Sequence, residues 1–234
     1  MITVSHIQKS YGRNRILRDI SFSAEPGDCI GILGVNGCGK STLLGILAGA
    51  VKADEGEILY GEESALGHRD VFVKMTGYVP QTNPLMEDLS ALDNLKLWYS
   101  NSPYDMYEDL EKGALSMLGI SAFLKKRVSR LSGGMQKRLS IGCALSGRPP
   151  VLVLDEPGAA LDLVCKEDIR SFLKTYLEKQ GIVILTTHEE SDLQTCTKLF
   201  LLQEGVLNQL PAGTSAGTIM KRMQEAAQNG GCYE

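Results

Sequence analysis

The sequence is poor in the residues that build several common kinds of protein. It has only 8 prolines and no glycine-X-Y period, which excludes a collagen-like chain and a low-complexity linker. No apolar run approaches the roughly 18 residues of a membrane-spanning helix, so we expect that the chain does not cross a membrane by itself. The six cysteines form no CxxC pair and no cluster with the 3 histidines, which argues against a zinc site or a disulfide framework. We predict isolated, mostly buried thiols.

The chain also lacks an excess of positive charge. With 24 basic and 28 acidic residues its formal net charge is −4, so we expect no nucleic acid partner. Its 234 residues suffice for one large domain or two small ones. The residue in surplus is glycine, with 25 of 234 residues or roughly 11 %, against an average of about 7 %. That surplus requires a local explanation.

The pattern of apolar residues predicts an α/β protein with a mostly parallel sheet, because strand-like segments alternate with helical ones. Strands are predicted on both sides of a turn at 11–14, and at 29–33, 56–60, 76–79, 151–154, 182–185, 198–202 and 206–210. Helices are predicted at 40–48 and 161–176, with Gly181 just past the end of the second. We expect one domain over 1–234, with a core of 1–83 and 149–229, a helical insert at about 84–148 and a frayed tail at 230–234.

A phosphate-binding loop is predicted where the first buried strand meets the first helix. Residues 34–41 read Gly-Val-Asn-Gly-Cys-Gly-Lys-Ser and match GxxxxGK[ST] between a strand and a helix, as that motif requires. Glycines let successive backbone N–H groups turn towards an anion, and the helix N-terminus adds its positive end. Lys40 would neutralise charge on the β- and γ-phosphates, and Ser41 would ligate Mg²⁺. The loop alone does not choose among kinases, GTPases, helicases and transport ATPases.

Two acids follow a second buried strand. Val151-Leu-Val-Leu154 runs directly into Asp155 and Glu156, which places both acids at the carboxyl edge of the predicted sheet, where α/β proteins bind ligands. Asp155 suits the Mg²⁺ shell, and Glu156 can act as a general base on an attacking water. One acid in a turn after a strand would be common, but here a phosphate loop follows another strand of what should be the same sheet.

The segment Leu131-Ser-Gly-Gly-Met-Gln136 precedes a predicted helix, with Ser132 as a good N-cap and two glycines that expose backbone N–H groups. Alone it is only a flexible helix start. Combined with the loop and the acids, the sequence resembles the ATP-binding subunit of an ABC transporter over nearly the whole chain. The resemblance implies a P-loop NTPase fold with an N-terminal antiparallel β subdomain and a helical insert. In that family the segment is the signature motif, which binds the γ-phosphate of ATP held by the opposite subunit.

Four further residues match positions of the family, and each has an ordinary alternative. Tyr11 resembles the aromatic residue that stacks on adenine, or it is a tyrosine at a strand end. Gln81 resembles the loop glutamine that reaches Mg²⁺ and senses the membrane partner, or it is a polar turn residue. Asp162 resembles part of the loop that connects the two sites across the dimer, and it could equally be a first-turn acid that stabilises a helix dipole; both can be true. His188 resembles the switch histidine at the γ-phosphate, although a lone histidine is usually structural.

The resemblance implies a complete set of site residues. The catalytic residues are Lys40, Gln81, Glu156 and His188. The ATP-binding residues are Tyr11, Gly34, Asn36, Gly37, Cys38, Gly39, Lys40, Ser41, Thr42, Ser132, Gly133, Gly134, Met135 and Asp162. The Mg²⁺ ligands are Ser41, Gln81 and Asp155.

The sequence departs from the family pattern at three positions. Cys38 stands where many relatives carry alanine or serine, and it is a candidate for oxidation. Met135 replaces the common glutamine, which resembles exporters whose membrane domains are separate polypeptides. Gly158 stands where threonine or serine is common. None of the three removes a group with a direct catalytic role, so we expect an active site.

We therefore expect an ATPase that drives transport, with export as the favoured direction, through separate permease subunits at the cytoplasmic face of the cell membrane. It would work as a head-to-tail homodimer, or paired with a second ATPase subunit, with ATP and Mg²⁺ at the interface. The alternative is an ABC ATPase that transports nothing, such as an iron–sulfur assembly or regulatory ATPase. A third hypothesis is a small-molecule kinase, but no feature of the sequence indicates a site for a molecule that would accept the phosphoryl group.

Overall fold

The protein is described by a computed structural model that covers residues 1–187, 189–211, 214, 217–218 and 221. Within these residues ten strands form one sheet. The strands are β1 (Ile2–Tyr11), β2 (Asn14–Ala24), β3 (Cys29–Leu33), β4 (Glu55–Tyr60), β5 (Glu63–Ser64), β6 (Thr76–Val79), β7 (Val151–Asp155), β8 (Ile182–Thr186), β9 (Lys198–Gln203) and β10 (Val206–Leu210). The predicted tail at 230–234 lies outside the described residues.

The helices fall between the strands and mainly between β6 and β7. They are α1 (Lys40–Leu47), α2 (Arg69–Met75), α3 (Ala91–Tyr99), α4 (Met106–Lys112), α5 (Ala114–Met117), α6 (Gly133–Ala144), α7 (Leu163–Glu178) and α8 (Glu190–Leu193), with 3-10 turns at Ile120–Phe123 and Val128–Arg130. Four of the eight, α3 to α6, lie in the segment for which a helical insert was predicted.

The sheet has a parallel half and a mainly antiparallel half, in the order β5-β4-β1-β2-β10-β9-β3-β8-β7-β6. Strands β9, β3, β8, β7 and β6 run parallel to one another, while β1, β2, β4 and β5 pair antiparallel. In the parallel half Thr186 pairs with both Ile32 and Asp155, so the ends of β3, β8 and β7 are level. The loops that follow these strands therefore leave one edge of the sheet.

The two faces of the parallel half pack against different helices. Alternate residues of β7 and β8 point to opposite faces, as the strand period requires. Val153 and Ile184 lie in one apolar cluster with α1 residues such as Leu44. Leu154 and Leu185 lie in a second cluster with residues of α6 and α7. Strands covered on both sides are apolar throughout, which explains the uninterrupted runs in the sequence.

The helical insert does not have a core of its own, because its apolar side chains belong to the second cluster together with those of the sheet. The sequence predicted a helical insert at about 84–148 without boundaries inside it, and the structure divides it into separate helices. Ser90 caps α3 by accepting from the backbone N–H of Asp93, and Asp105 caps α4 by accepting from that of Tyr107. Each cap starts a new helix, because a capping side chain satisfies amides that have no partner within the helix.

Several predictions about local structure need correction. Helix α2 and strand β5 were not predicted, and α7 begins at Leu163 rather than at 161. The left-handed residue after α7 is Gln180, with φ 66°, and not Gly181. Gly181 is required for space instead, because a Cβ there would overlap the ring of Tyr176.

The cysteines are not all isolated. Five of the six lie in the described residues and are free thiols, three of them buried. The sulfurs of Cys29 and Cys196 lie 3.8 Å apart, although 167 positions separate them in the chain. They meet because the segment before β9 returns alongside the start of β3, where the backbone N–H of Thr197 donates to the carbonyl of Cys29 over 2.8 Å. Sequence spacing could not predict a contact made by strand pairing.

Candidate nucleotide site

The predicted phosphate loop joins the buried end of β3 to the start of α1. Gly37 and Gly39 have φ values of 79° and 108°, a region that residues with a Cβ rarely adopt. A Cβ on Gly39 would also lie 2.7 Å from Cγ2 of Ile16 in β2. Two glycines of the motif are thus required by backbone conformation, and one of them also by close packing. Asn36 is exposed at the tip of the loop.

Lys40, the first residue of α1, is directed back into this loop. Its Nζ donates to the carbonyl of Gly34 over 2.8 Å and to that of Val35 over 3.2 Å. The side chain is buried, with 7 % of its surface exposed. A buried ammonium requires partners, and the loop's own carbonyls supply them. Ser41 and Thr42 follow in the first turn of the helix.

Cys38 is partly buried in the same loop, where a Cβ on Gly34 would lie 2.6 Å from its sulfur. Burial raises the pKa of the Cys38 thiol, although Lys40 acts in the opposite direction. Because the thiolate is the reactive form, this environment does not favour the oxidation considered from the sequence.

The two acids lie where predicted, at the end of β7. Asp155 is 3 % exposed, and its Oδ1 accepts a 2.6 Å hydrogen bond from the hydroxyl of Thr186. The same hydroxyl oxygen accepts from the backbone N–H of Glu156 over 3.0 Å. Thr186 therefore joins both acids to the neighbouring strand β8.

Glu156 is held in an unusual backbone conformation, with φ 47°. Holding a residue with a Cβ in this left-handed conformation costs of the order of 1 kcal/mol or more of folding free energy. Such strain persists only where the surrounding structure enforces it. Here Thr186 binds its amide, and Nε2 of Gln81 donates to its carboxylate Oε2 over 3.2 Å. The structure thus brings together Gln81, which follows β6, and Glu156, which follows β7.

The predicted signature segment begins α6. The side chain of Ser132 accepts from the backbone N–H of Met135 over 3.3 Å, as an N-cap does. Ser132 and Gly133 are exposed at the start of this helix. Gly134 is buried, and a Cβ there would lie 2.5 Å from the sulfur of Cys165 in α7. The second glycine is required for close packing of the two helices.

The other predicted site residues have varied surroundings. Asp162 is the N-cap of α7 rather than a first-turn acid, and its side chain stabilises the helix by accepting from the backbone N–H of Cys165 over 2.9 Å. Tyr11 is 52 % exposed at the end of β1, and the ammonium of Lys9 lies 5.4 Å from its ring centre. His188 lies outside the described residues.

The helices that follow the phosphate loop and the signature segment pack on opposite faces of the sheet. The loop leads into α1, whose apolar side chains belong to the first cluster, and the signature leads into α6, which belongs to the second. The loop, the two acids and Gln81 share one sheet edge instead, because β3, β7 and β6 run parallel.

The oxygen ligands at this edge suit Mg²⁺ that arrives with a nucleotide. Among the described residues, no three His, Cys, Asp or Glu side chains are grouped to hold a metal ion. The predicted ligands are a hydroxyl, a carboxylate and an amide oxygen, from Ser41, Asp155 and Gln81. Such hard oxygen donors, few in number, fit Mg²⁺, which takes one or two carboxylates and completes its shell with substrate phosphates and water.

Sequence reasoning missed two residues of the site. They are Thr186 and Lys137, neither of which belongs to a motif identified from the sequence. Lys137 is 4 % exposed in α6, and its Nζ donates to the carbonyls of Pro80 and Gln81. Its burial has no signal in the sequence, because Lys137 stands between two polar residues, a glutamine and an arginine.

Comparison with known proteins assigns the family. The model of the ABC transporter family matches residues 17–159, which include the phosphate loop, the signature segment and both acids. The chain belongs to the ABC transporter family. As a member of that family it is an ABC-type ATPase, which agrees with the resemblance drawn from the motifs.

Two relatives and one solved structure illustrate the match. The linearmycin resistance ATP-binding protein LnrL of Bacillus subtilis is 32 % identical over 88 % of this chain and 67 % of its own length. The spermidine/putrescine import ATP-binding protein PotA of Bacteroides thetaiotaomicron is 34 % identical over 90 % of this chain and 46 % of its own length. The dimeric post-hydrolysis state of the ATP-binding cassette MJ0796 bound to ADP and Pi has a TM-score of 0.78 at 26 % identity, over 88 % of this chain and 96 % of that one.

The chain spans about half to two thirds of the length of these two curated relatives. Relatives named for import and for resistance match it at similar identity, so identity alone does not assign a direction of transport. In the part of the chain that the structure describes, no helix combines the length and apolarity needed to span a bilayer.

Proposed function

We propose that the chain binds and hydrolyses ATP in order to power transport through separate membrane subunits. The observation that carries the proposal is the convergence of the phosphate loop, Asp155, Glu156 and Gln81 on one edge of the parallel sheet. The names of the relatives, which are ATP-binding proteins of import, export and resistance systems, support the transport role.

Each residue of the site has a task in this proposal. The loop amides and Lys40 bind the phosphates, and Lys40 exchanges its carbonyl partners for phosphate oxygens. Ser41, Asp155 and Gln81 would hold Mg²⁺, which, when bound, neutralises phosphate charge. Glu156 takes a proton from the attacking water. His188 contacts the γ-phosphate, and Tyr11 stacks on adenine, for which its contact with Lys9 would give way.

The working unit is a head-to-tail dimer. What supports it is that the phosphate loop and the signature of one chain lead into helices α1 and α6 on opposite faces of its sheet. A second copy would bring its own signature residues, Ser132 to Met135, and its Asp162 loop to the nucleotide. The match to a dimeric cassette also supports this arrangement. Because each chain carries both half-sites, a homodimer suffices, and a pairing with a second ATPase is the other possibility.

Glu156→Gln tests the reaction and the dimer together. The wild-type chain should hydrolyse ATP in the presence of Mg²⁺, whereas the variant should bind ATP, fail to hydrolyse it and elute as a dimer in size-exclusion chromatography. With ADP the same variant should elute as a monomer. Lys40→Met is the control that should neither bind ATP nor dimerise. Hydrolysis by Glu156→Gln at the wild-type rate would refute the role of Glu156 as general base.

The surface proposed to meet the membrane subunit lies next to the Gln81 loop. Met86, Leu97 and Trp98 are 58 %, 49 % and 41 % exposed. Asn94 of α3 bonds to the backbone N–H and carbonyl of Met86, which holds Met86 against the helix that carries the other two. An apolar segment of a permease subunit would cover them on the cytoplasmic side of the membrane. Export is the preferred direction, on the basis of the Met135 form of the signature and of relatives named for export.

Trp98→Glu tests this surface in the cells that produce the protein. The variant should lose its membrane-bound fraction and the multi-span protein that co-purifies with the wild type, while keeping its basal ATPase activity. Val73→Glu is a matched control, because Val73 is 70 % exposed on α2, outside this surface. Equal membrane association of both variants would contradict the assignment of the surface. A wild-type partner without membrane spans would favour an ABC ATPase that transports nothing.

A further inference from the structure

Lys137 is a buried cation whose hydrogen bonds, within the described residues, go to backbone carbonyls. It is 4 % exposed, and its Nζ donates to the carbonyl of Pro80 over 3.2 Å and to that of Gln81 over 3.3 Å. A buried ammonium is expensive unless it is paired. Both of its partners belong to one loop, 56 and 57 residues earlier in the chain.

These two bonds join separate parts of the proposed machinery. Lys137 lies in α6, little more than one turn after the Ser132 N-cap of the signature. Its two partners are the carbonyls of Pro80 and Gln81, the first residues after β6. The side chain of the same Gln81 bonds to Glu156. One side chain therefore connects the signature helix to the backbone of Gln81.

The charges around Lys137 show what holds it there. Burial lowers the pKa of its ammonium, and the charges of Asp155 and Glu156 act in the opposite direction. The cation thus lies in the field of both acids, although its hydrogen bonds go to the Gln81 loop. An experiment can therefore separate an effect of Lys137 on the Gln81 loop from an electrostatic effect of its charge on Asp155 and Glu156.

We infer that Lys137 is a positioning residue that ties the signature helix to the Gln81 loop and holds the Gln81 side chain against Glu156. The inference rests on the proposed function, in which the signature engages the ATP of the other subunit. It deepens that function in one respect. When the signature of one chain engages the ATP held by the other chain, Lys137 would set the position of Gln81 in the first chain's own site.

A double-mutant cycle with Lys137→Met and Gln81→Ala tests the tie. Methionine keeps an unbranched side chain of similar length and removes the ammonium. We expect Lys137→Met to lower kcat for ATP hydrolysis about tenfold, the scale of one charged hydrogen bond, with little change in KM for ATP. In the Gln81→Ala background the same substitution should change kcat by no more than about twofold, because the residue through which it acts is gone.

Two controls keep the outcome interpretable. Ser140→Ala alters the same helix about one turn further on, at a buried hydroxyl that has no hydrogen-bond partner in the described structure, and it should leave kcat unchanged. If Lys137→Met does not fold, as judged by thermal unfolding, the cycle is run with Lys137→Gln, which retains an amide donor. That variant should show a smaller loss.

The inference is overturned if Lys137→Met hydrolyses ATP at the wild-type rate, or if its loss is equally large with and without Gln81. The second result would assign the effect to the field at Glu156. A wild-type chain that hydrolyses no ATP would instead refute the proposed function, so the two failures are distinguishable.

Discussion

The hydroxyl of Thr186 donates a 2.6 Å hydrogen bond to Oδ1 of Asp155 and in turn accepts the backbone N–H of Glu156. Thr186 has no exposed surface. One buried hydroxyl thus sets the direction of the carboxylate proposed to hold Mg²⁺ and supports the strained backbone of the proposed base. The two strands are paired at this level, since Asp155 and Thr186 are partners in the register of β7 and β8.

Thr186→Val should therefore impair both stability and catalysis. Valine has nearly the same shape but leaves the Asp155 carboxylate and the Glu156 amide without this partner, which we expect to cost about 1–3 kcal/mol of the free energy of unfolding. We also expect kcat to fall about tenfold and the Mg²⁺ concentration for half-maximal activity to rise. Urea unfolding and Mg²⁺ titrations of ATPase activity measure both effects.

Thr186→Ser is the matched control, because it retains the hydroxyl and should restore most of the activity and of the Mg²⁺ dependence. Wild-type activity and Mg²⁺ dependence in Thr186→Val would show that the hydrogen bond does not position Asp155.

The two glycines of the signature should differ in their tolerance of alanine. A Cβ on Gly134 would lie 2.5 Å from the sulfur of Cys165, whereas the nearest such atom to a Cβ on Gly133 is Cδ2 of Leu161 at 3.8 Å. We expect Gly134→Ala to be less stable than Gly133→Ala by about 1–3 kcal/mol, the usual cost of overpacking. Urea unfolding of the two variants provides the comparison.

A second substitution checks the cause. Cys165→Ala removes the nearest atom and should partly restore the stability of Gly134→Ala. Equal stability of the two single alanine variants would mean that α6 and α7 separate without cost.

Alkaline pH should destabilise the fold through Tyr78, a half-buried tyrosine of β6. Burial, with a contribution from the charge of Asp155, raises the pKa of Tyr78 to about 12. The unfolded chain loses this proton near pH 10 and the folded chain does not, so the unfolded state binds fewer protons above pH 10. The free energy of unfolding therefore falls as the pH rises from about 10 to 12.

Tyr78→Phe removes this contribution, so its stability should fall less steeply than that of the wild type over the same pH range. Denaturant midpoints at pH 9, 10 and 11 test the difference. Burial also raises the pKa of Tyr60, Tyr99 and Tyr176, which explains why some loss of stability should remain in the variant. Parallel pH profiles of variant and wild type would contradict the account.

Predictions from the sequence succeeded where the signal was local. The turn into α1, the strand before Asp155 and the cap at Ser132 each follow from a few consecutive residues, whose spacing expresses the helix and strand periods. The same reasoning failed for α2, for β5 and for the divided helices of the insert. There short segments carry weak periodicity, and capping side chains decide where a helix begins.

The sequence by itself determined which residues can bind phosphate, ligate a hard cation or cap a helix, because these properties belong to side chains and their near neighbours. Only the tertiary structure decided that Thr186 meets Asp155, that Lys137 reaches the Gln81 loop and that Cys29 meets Cys196. It also decided that the helices after the phosphate loop and the signature pack on opposite faces of the sheet. These contacts join residues far apart in the chain, and strand order, register and the packing of helices on each face create them, none of which a local pattern contains.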